Sequence, residues 1–327
     1  MKFAKIVGLG KHLPPKKLTN SDLEQMVDTS DEWIFTRTGI KERRIAEKGV
    51  SASRLAEEAA RIALKRAGLK AGQIDVIIFA TITPDSQFPS SACYLQDALK
   101  ARRAAAFDIS AACAGFVYGI TTAWQFIAGG LYKNALVVGS EVLSTITDWD
   151  DRSTCVLFGD GAGAAVLTES SSAGVLGSYL GADGHEADLL KLPAGGSRIP
   201  ASHESLEQKL HTIQMKGNEL FRFAVRVMVD AAHQAMGQAG IQSGDIALLV
   251  PHQANTRIID AVSKRLQLPR EKVYVNIDKY GNMSSASSAV ALCEAWEEER
   301  IGKDDIVVLD AFGGGLVWGS TVIRWTE

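Results

Sequence analysis

Apolar and polar positions recur along this chain in two patterns. In SASRLAEEAARIALKRAGL, Ser51 to Leu69, apolar or small residues fall at Leu55, Ala59, Ile62, Ala63 and Ala67. That spacing lays one stripe along a helix, and Gly68 marks its end. DVIIFATI, Asp75 to Ile82, is instead almost continuously apolar, which suits a parallel strand covered on both faces. A loop with Pro84 and Pro89 follows, then an expected helix from Ser90 to Leu99 and the strand AAAFDIS. Next come a junction at Cys113 with its own helix, and the strand ALVVGSEVL ahead of the glycine-rich FGDGAGAAVLTE.

The second half repeats this order. LFRFAVRVMVDAAHQAMGQAGI, Leu220 to Ile241, reads as a helix ending in Ala-Gly, and the apolar strand IALLV follows from Ile246 to Val250. A helix beginning near Asn255, the strand KVYVNI, the junction KYGNMSSAS and the helix SSAVALCEAW come next. The strand DIVVLDAF and the turn-strand GGGLVWGSTVIRW close the chain. Ile74 and Cys113 are 39 positions apart, and Ile246 and Asn282 are 36 apart, so matching junctions follow matching strands. The simplest account is an internal duplication. Alternating strands and helices predict an α/β fold with mostly parallel sheets, in two halves packed as one body, residues 1–182 and 183–327. Asp183 to Thr212 is polar and irregular and reads as a loop or cap.

Composition narrows the function classes. At 327 residues, with 46% hydrophobic and 22% charged residues and a net charge of -3, the chain lacks the basic excess of a nucleic-acid binder. The apolar stretch at its start is short and broken by Lys5, unlike a secretory signal, and no segment approaches membrane-spanning length; the expectation is a cytoplasmic protein that engages neither membrane nor nucleic acid. Four scattered cysteines, Cys93, Cys113, Cys155 and Cys293, form no CxxC pair and no metal-spaced set. GLGKHL and GDGAGA do not complete a dinucleotide fingerprint.

Cys113 stands where a strand gives way to a helix, a position at which unpaired N–H groups and the helix dipole favour a thiolate. A lone cysteine is also a common core residue, and Cys93, Cys155 and Cys293, inside apolar runs, read that way. His252 directly follows a buried-type strand, and Asn282 stands at the junction that corresponds to Cys113. Each has a plain reading, a structural histidine and a turn residue, but at the carboxyl ends of parallel strands the three form a candidate constellation. AFGGGLVWG places three glycines after a strand, where backbone donors can approach a ligand, or where a hairpin merely turns.

DTSDEWIFTRTGIKERR, DISAACAGF, FGDGAGAAVL, VPHQANTRII, YGNMSSAS and AFGGGLVWGS, in this order over nearly the full length, resemble the β-ketoacyl-acyl-carrier-protein synthase III family. The resemblance implies a thiolase-like fold, with duplicated halves in five αβαβα layers, and a homodimer. It implies a Cys-His-Asn triad carried by Cys113, His252 and Asn282, with oxyanion donors from the backbone of Cys113 and Gly315. It further implies CoA contacts at Thr29, Trp33, Arg37, Arg152, Asn218 and Asn255, and an acyl pocket closed by Phe88. An acidic carrier protein would dock on Arg222, Arg257, Lys264 and Arg265, of which Arg257 and Lys264, seven apart, share a helix face. The implied reaction needs no cofactor and no metal: acyl-CoA and malonyl-carrier protein are the substrates. A relative acting in polyketide or quinolone-like pathways, a papain-like thiol hydrolase and a non-catalytic acyl-CoA or carrier-protein binding module are the competing readings.

Overall fold

The computed structural model describes residues 3–172 and 174–326. Strand β1 is Phe3–His12; helices α1, Asp31–Thr38, and α2, Ala52–Arg66, precede strand β2, Val76–Ala80. Helix α3, Ser91–Leu99, leads to β3, Ala105–Ile109, then α4, Gly115–Ala128, β4, Asn134–Val142, β5, Asp160–Ser170, and β6, Val175–Ala182. The second half adds α5, Gly217–Ala239, β7, Ile246–Pro251, α6, Thr256–Arg265, α7, Ser285–Glu297, β8, Ile306–Gly313, and β9, Val317–Arg324.

The expected stripes become the packing faces. Helix α2 buries Leu55, Ala56, Ala59, Ala60 and Ala63, and Gly68, at φ 65, ends that segment as its sequence implied. All five residues of β2 are buried, as a strand covered on both sides requires. One sheet runs β1-β5-β4-β2-β3 and the other β7-β8-β9-β6. Helices α2 and α3 cover the outer face of the first sheet, α5 lies on the second with α6 beside it, and α4 and α7 pack together between the sheets. This is the five-layer αβαβα arrangement. The central layer is thin because small residues meet there: a Cβ at Gly139 would lie 2.6 Å from the Ser285 carbonyl, and one at Gly163 2.5 Å from the Ala289 Cβ.

Four expectations change. The sheets are mixed rather than mostly parallel: β2 pairs parallel with β3 and β4, and β7 with β8, whereas β1 with β5, β5 with β4, β8 with β9 and β9 with β6 are antiparallel. Strand β6 pairs with β9 in the second sheet, so by sheet membership the chain passes between halves after Ser170, ahead of the boundary at 182/183. KVYVNI forms no strand; only Val273 bridges to Leu249. Beyond it the Gln253 side chain takes the place of a neighbouring strand, donating to Tyr274 O at 3.2 Å and accepting from Asn276 N at 3.0 Å. Cys93 is exposed rather than core, because α3 buries Ala92, Leu95 and Leu99 and leaves Cys93 at the open edge of the sheet, its Sγ 4.0 Å from Ala106 O. Residues 183–212 hold only short elements, among them the helix His203–Glu207 and a two-residue ladder from Leu190–Lys191 to Gln214–Met215.

Candidate active site

Cys113 lies in a tight turn, Ala112–Ala114, immediately before α4. Ala112, three residues before α4, takes φ 42 there, and Ser284, immediately before α7, takes φ 48. Both halves of the fold therefore hold a non-glycine residue in the left-handed region at their central junction, a costly conformation that collects at functional sites. Gly313, the last residue of β8, abuts the cysteine: a Cβ on it would stand 2.5 Å from the Cys113 nitrogen. The thiol opens into a cavity of about 840 Å³ whose lining includes Ser284, Phe158, Gly314 and Gly315. The irregular segment after Asp183 covers this space, with Leu190 to Leu192 and Ala194 to Gly196 in its lining.

His252 and Asn282 are buried, at 2% and 8% exposure, and neither is among the residues lining the Cys113 cavity; backbone contacts tie each of them to elements that border it. The His252 N–H donates to Asp310 O at 2.7 Å. Gly313 lies three residues farther along the same strand, about 10 Å at the rise of a β-strand. Asn282 bridges to Phe158, a wall of the cavity, and its N–H donates to Leu157 O at 2.8 Å. Its side-chain orientation follows from one bond: Oδ1 accepts from the Ser284 N–H at 2.8 Å, so Nδ2 remains as a donor.

The electrostatics depart from the expectation of a thiolate. Burial pushes the Cys113 thiol up to about 12. A rise of that size costs the anion roughly 4 kcal/mol, more than the roughly 0.3–2 kcal/mol a helix end returns. Burial also pushes the His252 imidazole down to about 3, so it is neutral at pH 7. The Ser284 hydroxyl, buried without an aligned hydrogen-bond partner, lies beside both the thiol and the buried Glu141 carboxyl. Glu141 accepts from Thr83 Oγ1 at 2.6 Å and Thr81 Oγ1 at 3.0 Å, and burial raises its pKa. Thiol, imidazole and carboxamide are thus neutral groups, suited to hydrogen-bond donation more than to strong-base chemistry.

Residues 107–184 match the model of the 3-oxoacyl-[acyl-carrier-protein] synthase III family, and residues 236–325 match the model of its C-terminal part. The β-ketoacyl-[acyl-carrier-protein] synthase III of Caldanaerobacter subterraneus subsp. tengcongensis is 58% identical over 99% of this chain and 98% of its own. The chain belongs to the β-ketoacyl-[acyl-carrier-protein] synthase III family. It is an enzyme of that kind, a condensing acyltransferase with the thiolase-like fold. The crystal structure of the Aquifex aeolicus synthase III superposes with a TM-score of 0.91 at 48% identity, covering 98% of this chain and 100% of that one. The priming β-ketosynthase of the R1128 polyketide pathway is similar too, with a TM-score of 0.93 at 34% identity over 99% of this chain and 97% of that one.

Set beside the synthase III motifs, the remaining candidates divide. Trp33, Arg37, Asn218, Asn255, Arg222 and Arg257 line a second cleft, of about 720 Å³. Thr29 and Arg152 are outside that lining, but the Arg152 guanidinium lies 4.7 Å from the centroid of Trp33, and that of Arg37 lies 4.6 Å from it. Asn255 also braces its surroundings, for its Oδ1 caps α6 at the Arg257 N–H, 2.8 Å away, and its Nδ2 donates to Arg37 O at 2.9 Å. Lys264 and Arg265 are exposed on the last turn of α6. Phe88 is 86% exposed and is absent from the lining of its own chain's Cys113 cavity. The cleft and the cavity meet at a shared partition: Leu157 faces the first and Phe158 the second, as do Met215 and Ile213.

Sequence reasoning missed Gly313, Ser284, Glu141 and Gln253. Gly313 is the first glycine of a run in which Gly315 drew the attention, and Gln253 adjoins His252. No local signal marks Glu141 or the strain at Ser284.

Proposed function

We propose that this chain condenses a short acyl group from an acyl-CoA, acetyl-CoA foremost, with malonyl-acyl-carrier-protein, the opening step of fatty acid synthesis. The observation that carries the reading is the adjacency of two spaces. A cleft carrying Trp33, Arg37 and Arg257 and a cavity holding a buried thiol are lined by neighbouring residues, Leu157 and Met215 on one side, Phe158 and Ile213 on the other. A ring flanked by guanidinium groups suits an adenine and its phosphates, and an inner space that reaches the thiol suits the acyl end of the same molecule.

In the first half-reaction the Cys113 sulfur attacks the thioester carbonyl. Backbone N–H groups of Cys113 and Gly315 hold the tetrahedral oxygen, each worth about 3 kcal/mol. The bond to the CoA sulfur breaks, and the thiol proton leaves with CoA. In the second, the malonyl thioester oxygen faces the donors of His252 and Asn282. The bond to the carboxylate breaks, CO2 departs, and the two donors stabilise the enolate. Its carbon attacks the acyl-cysteine carbonyl, the sulfur is expelled, and Cys113 takes a proton from solvent. Neutral donors fit this step, because loss of CO2 supplies the carbanion without a strong base.

Arg222, Arg257, Lys264 and Arg265, around and beyond the mouth of the cleft, form the docking face for the acidic carrier protein. Strand β3 is an edge of its sheet, and a second copy pairing along it gives the homodimer. Phe88 then closes the acyl pocket from its exposed loop. The enzyme works in the cytoplasm.

The test is to incubate the protein with a panel of acyl-CoAs, weigh it for a Cys113 adduct, and add malonyl-carrier protein. The expected result is a short-chain adduct that disappears as β-ketoacyl-carrier protein forms. An adduct that never elongates overturns the proposal.

A further inference from the structure

His252 and Asn282 come from different segments, yet a donor pair acts on one oxygen only if both stay in register. Between them runs a chain of buried side chains that the reaction itself does not use. The Gln253 amide, next to His252, donates to Pro251 O at 2.8 Å and Tyr274 O at 3.2 Å, and accepts from Asn276 N at 3.0 Å. Asn276 passes the link on, its Nδ2 donating to Glu294 Oε2 at 2.8 Å. The other oxygen of Glu294 accepts from the Tyr280 hydroxyl at 2.5 Å, and Tyr280 lies two residues before Asn282. Gln253, Asn276, Glu294 and Tyr280 are all buried, with exposures of 1%, 1%, 5% and 7%.

Resting on the functional reading above, we propose that Gln253, Asn276, Glu294 and Tyr280 form a frame that positions His252 and Asn282 for the decarboxylating half-reaction and leaves acyl transfer to Cys113 alone. The frame stands where the duplication is incomplete. The counterpart of β3 is reduced to one bridge at Val273, so backbone groups that a strand would pair in the first half are held by a side chain in the second. Glu294 anchors the system from α7: Lys11 Nζ donates to it at 3.0 Å and Tyr274 Oη at 3.4 Å, and Lys279 Nζ lies 3.8 Å away. Burial would raise its pKa, but the bonds from Tyr280, Asn276 and Lys11 outweigh that and hold it below the ordinary carboxylate value. An ionised acceptor with this many donors is a rigid node. Cys113 is fixed by other means, the Ala112–Ala114 turn and Gly313 of β8.

The experiment measures the two half-reactions separately on Glu294→Gln, Tyr280→Phe and the double variant. Cys113 acylation by acyl-CoA is followed by mass, and CO2 release from malonyl-carrier protein is followed alone. Displacing a donor by even 1 Å costs on the order of 100-fold. The expected result is CO2 release slowed about 10- to 100-fold in Glu294→Gln, with acylation changed less than about 3-fold. The double variant should lose less than the product of the single losses, since both changes break one network. Equal losses in the two half-reactions, or none in either, overturn the frame. Tyr280→Phe removes a single hydroxyl and keeps the test decisive if Glu294→Gln does not fold. A wild-type protein that runs neither half-reaction instead overturns the functional reading, and the split with it.

Discussion

Gly313 and Cys113 are packed so closely that a single methyl on the glycine would stand 2.5 Å from the cysteine nitrogen. That nitrogen belongs to a tight turn with Ala112 in the left-handed region, so it has little freedom to move aside. The end of β8 thus sets where the Cys113 N–H points. Gly313→Ala is expected to displace this donor and to slow Cys113 acylation about 100-fold or more, the usual cost of one oxyanion donor. Stopped-flow or quenched acylation with acyl-CoA measures it, and a rate within about 3-fold of wild type would show that the amide plays no such part.

The thiol itself is expected to be sluggish toward simple electrophiles. With burial holding Cys113 near 12, only a minute fraction is thiolate at pH 7. Iodoacetamide modification should therefore rise with pH through 9 and beyond with no plateau near 8.5, the midpoint of an ordinary cysteine. A plateau below pH 8 would place a stabilised thiolate in the free enzyme.

His252 makes an opposite and separable prediction. The folded protein holds it neutral down to about pH 3, whereas an unfolded histidine titrates near 6.5. Above pH 6.5 neither state binds the proton and this group adds no pH dependence. Below it, the unfolded state gains a proton that the folded state does not, so stability falls as pH drops from 6.5 toward 3. Between pH 7.5 and 5 this amounts to about 2 kcal/mol. Urea unfolding of wild type and His252→Asn at both values should show the wild type losing that much more than the variant. Equal losses would mean that the imidazole is not held neutral.

Trp33 carries a prediction about binding alone. Two guanidinium groups of the protein itself approach its ring at 4.6 and 4.7 Å, and stacking an adenine on that ring would be worth about 1–2 kcal/mol. Trp33→Ala is expected to raise KM for acyl-CoA by about 3- to 30-fold, while condensation from a preformed acyl-enzyme keeps its rate. A fall in that second rate would mean that Trp33 supports the fold of the site.

Much of the architecture was legible along the chain. The stripe Leu55–Ala59–Ala63, the unbroken apolar run of β2 and the repeated order of junctions implied helices layered on sheets in two related halves, though the sheets are mixed where mostly parallel ones were expected. Local pattern reports which face of an element meets an apolar neighbour, and that survives folding wherever the neighbour is generic. Pattern failed where one side chain replaced an expected element. KVYVNI has the alternation of a strand, but the Gln253 amide holds the backbone that a strand would have paired. Cys93 sits in an apolar run, and only the placement of α3 on its sheet shows that it is exposed.

The amino-acid sequence by itself determined the fold class, the two halves, the family and the identity of the thiol, imidazole and carboxamide set forward as its chemistry. Tertiary structure decided their electrical environment, since desolvation depends on everything that surrounds a group and not on its neighbours in the chain; burial pushes the Cys113 thiol up where the helix start alone favoured a thiolate. It alone also decided the contacts between distant segments, Gly313 against Cys113 and Gln253 through Glu294 to Tyr280, because such distances exist only once both sheets and the helices between them have packed.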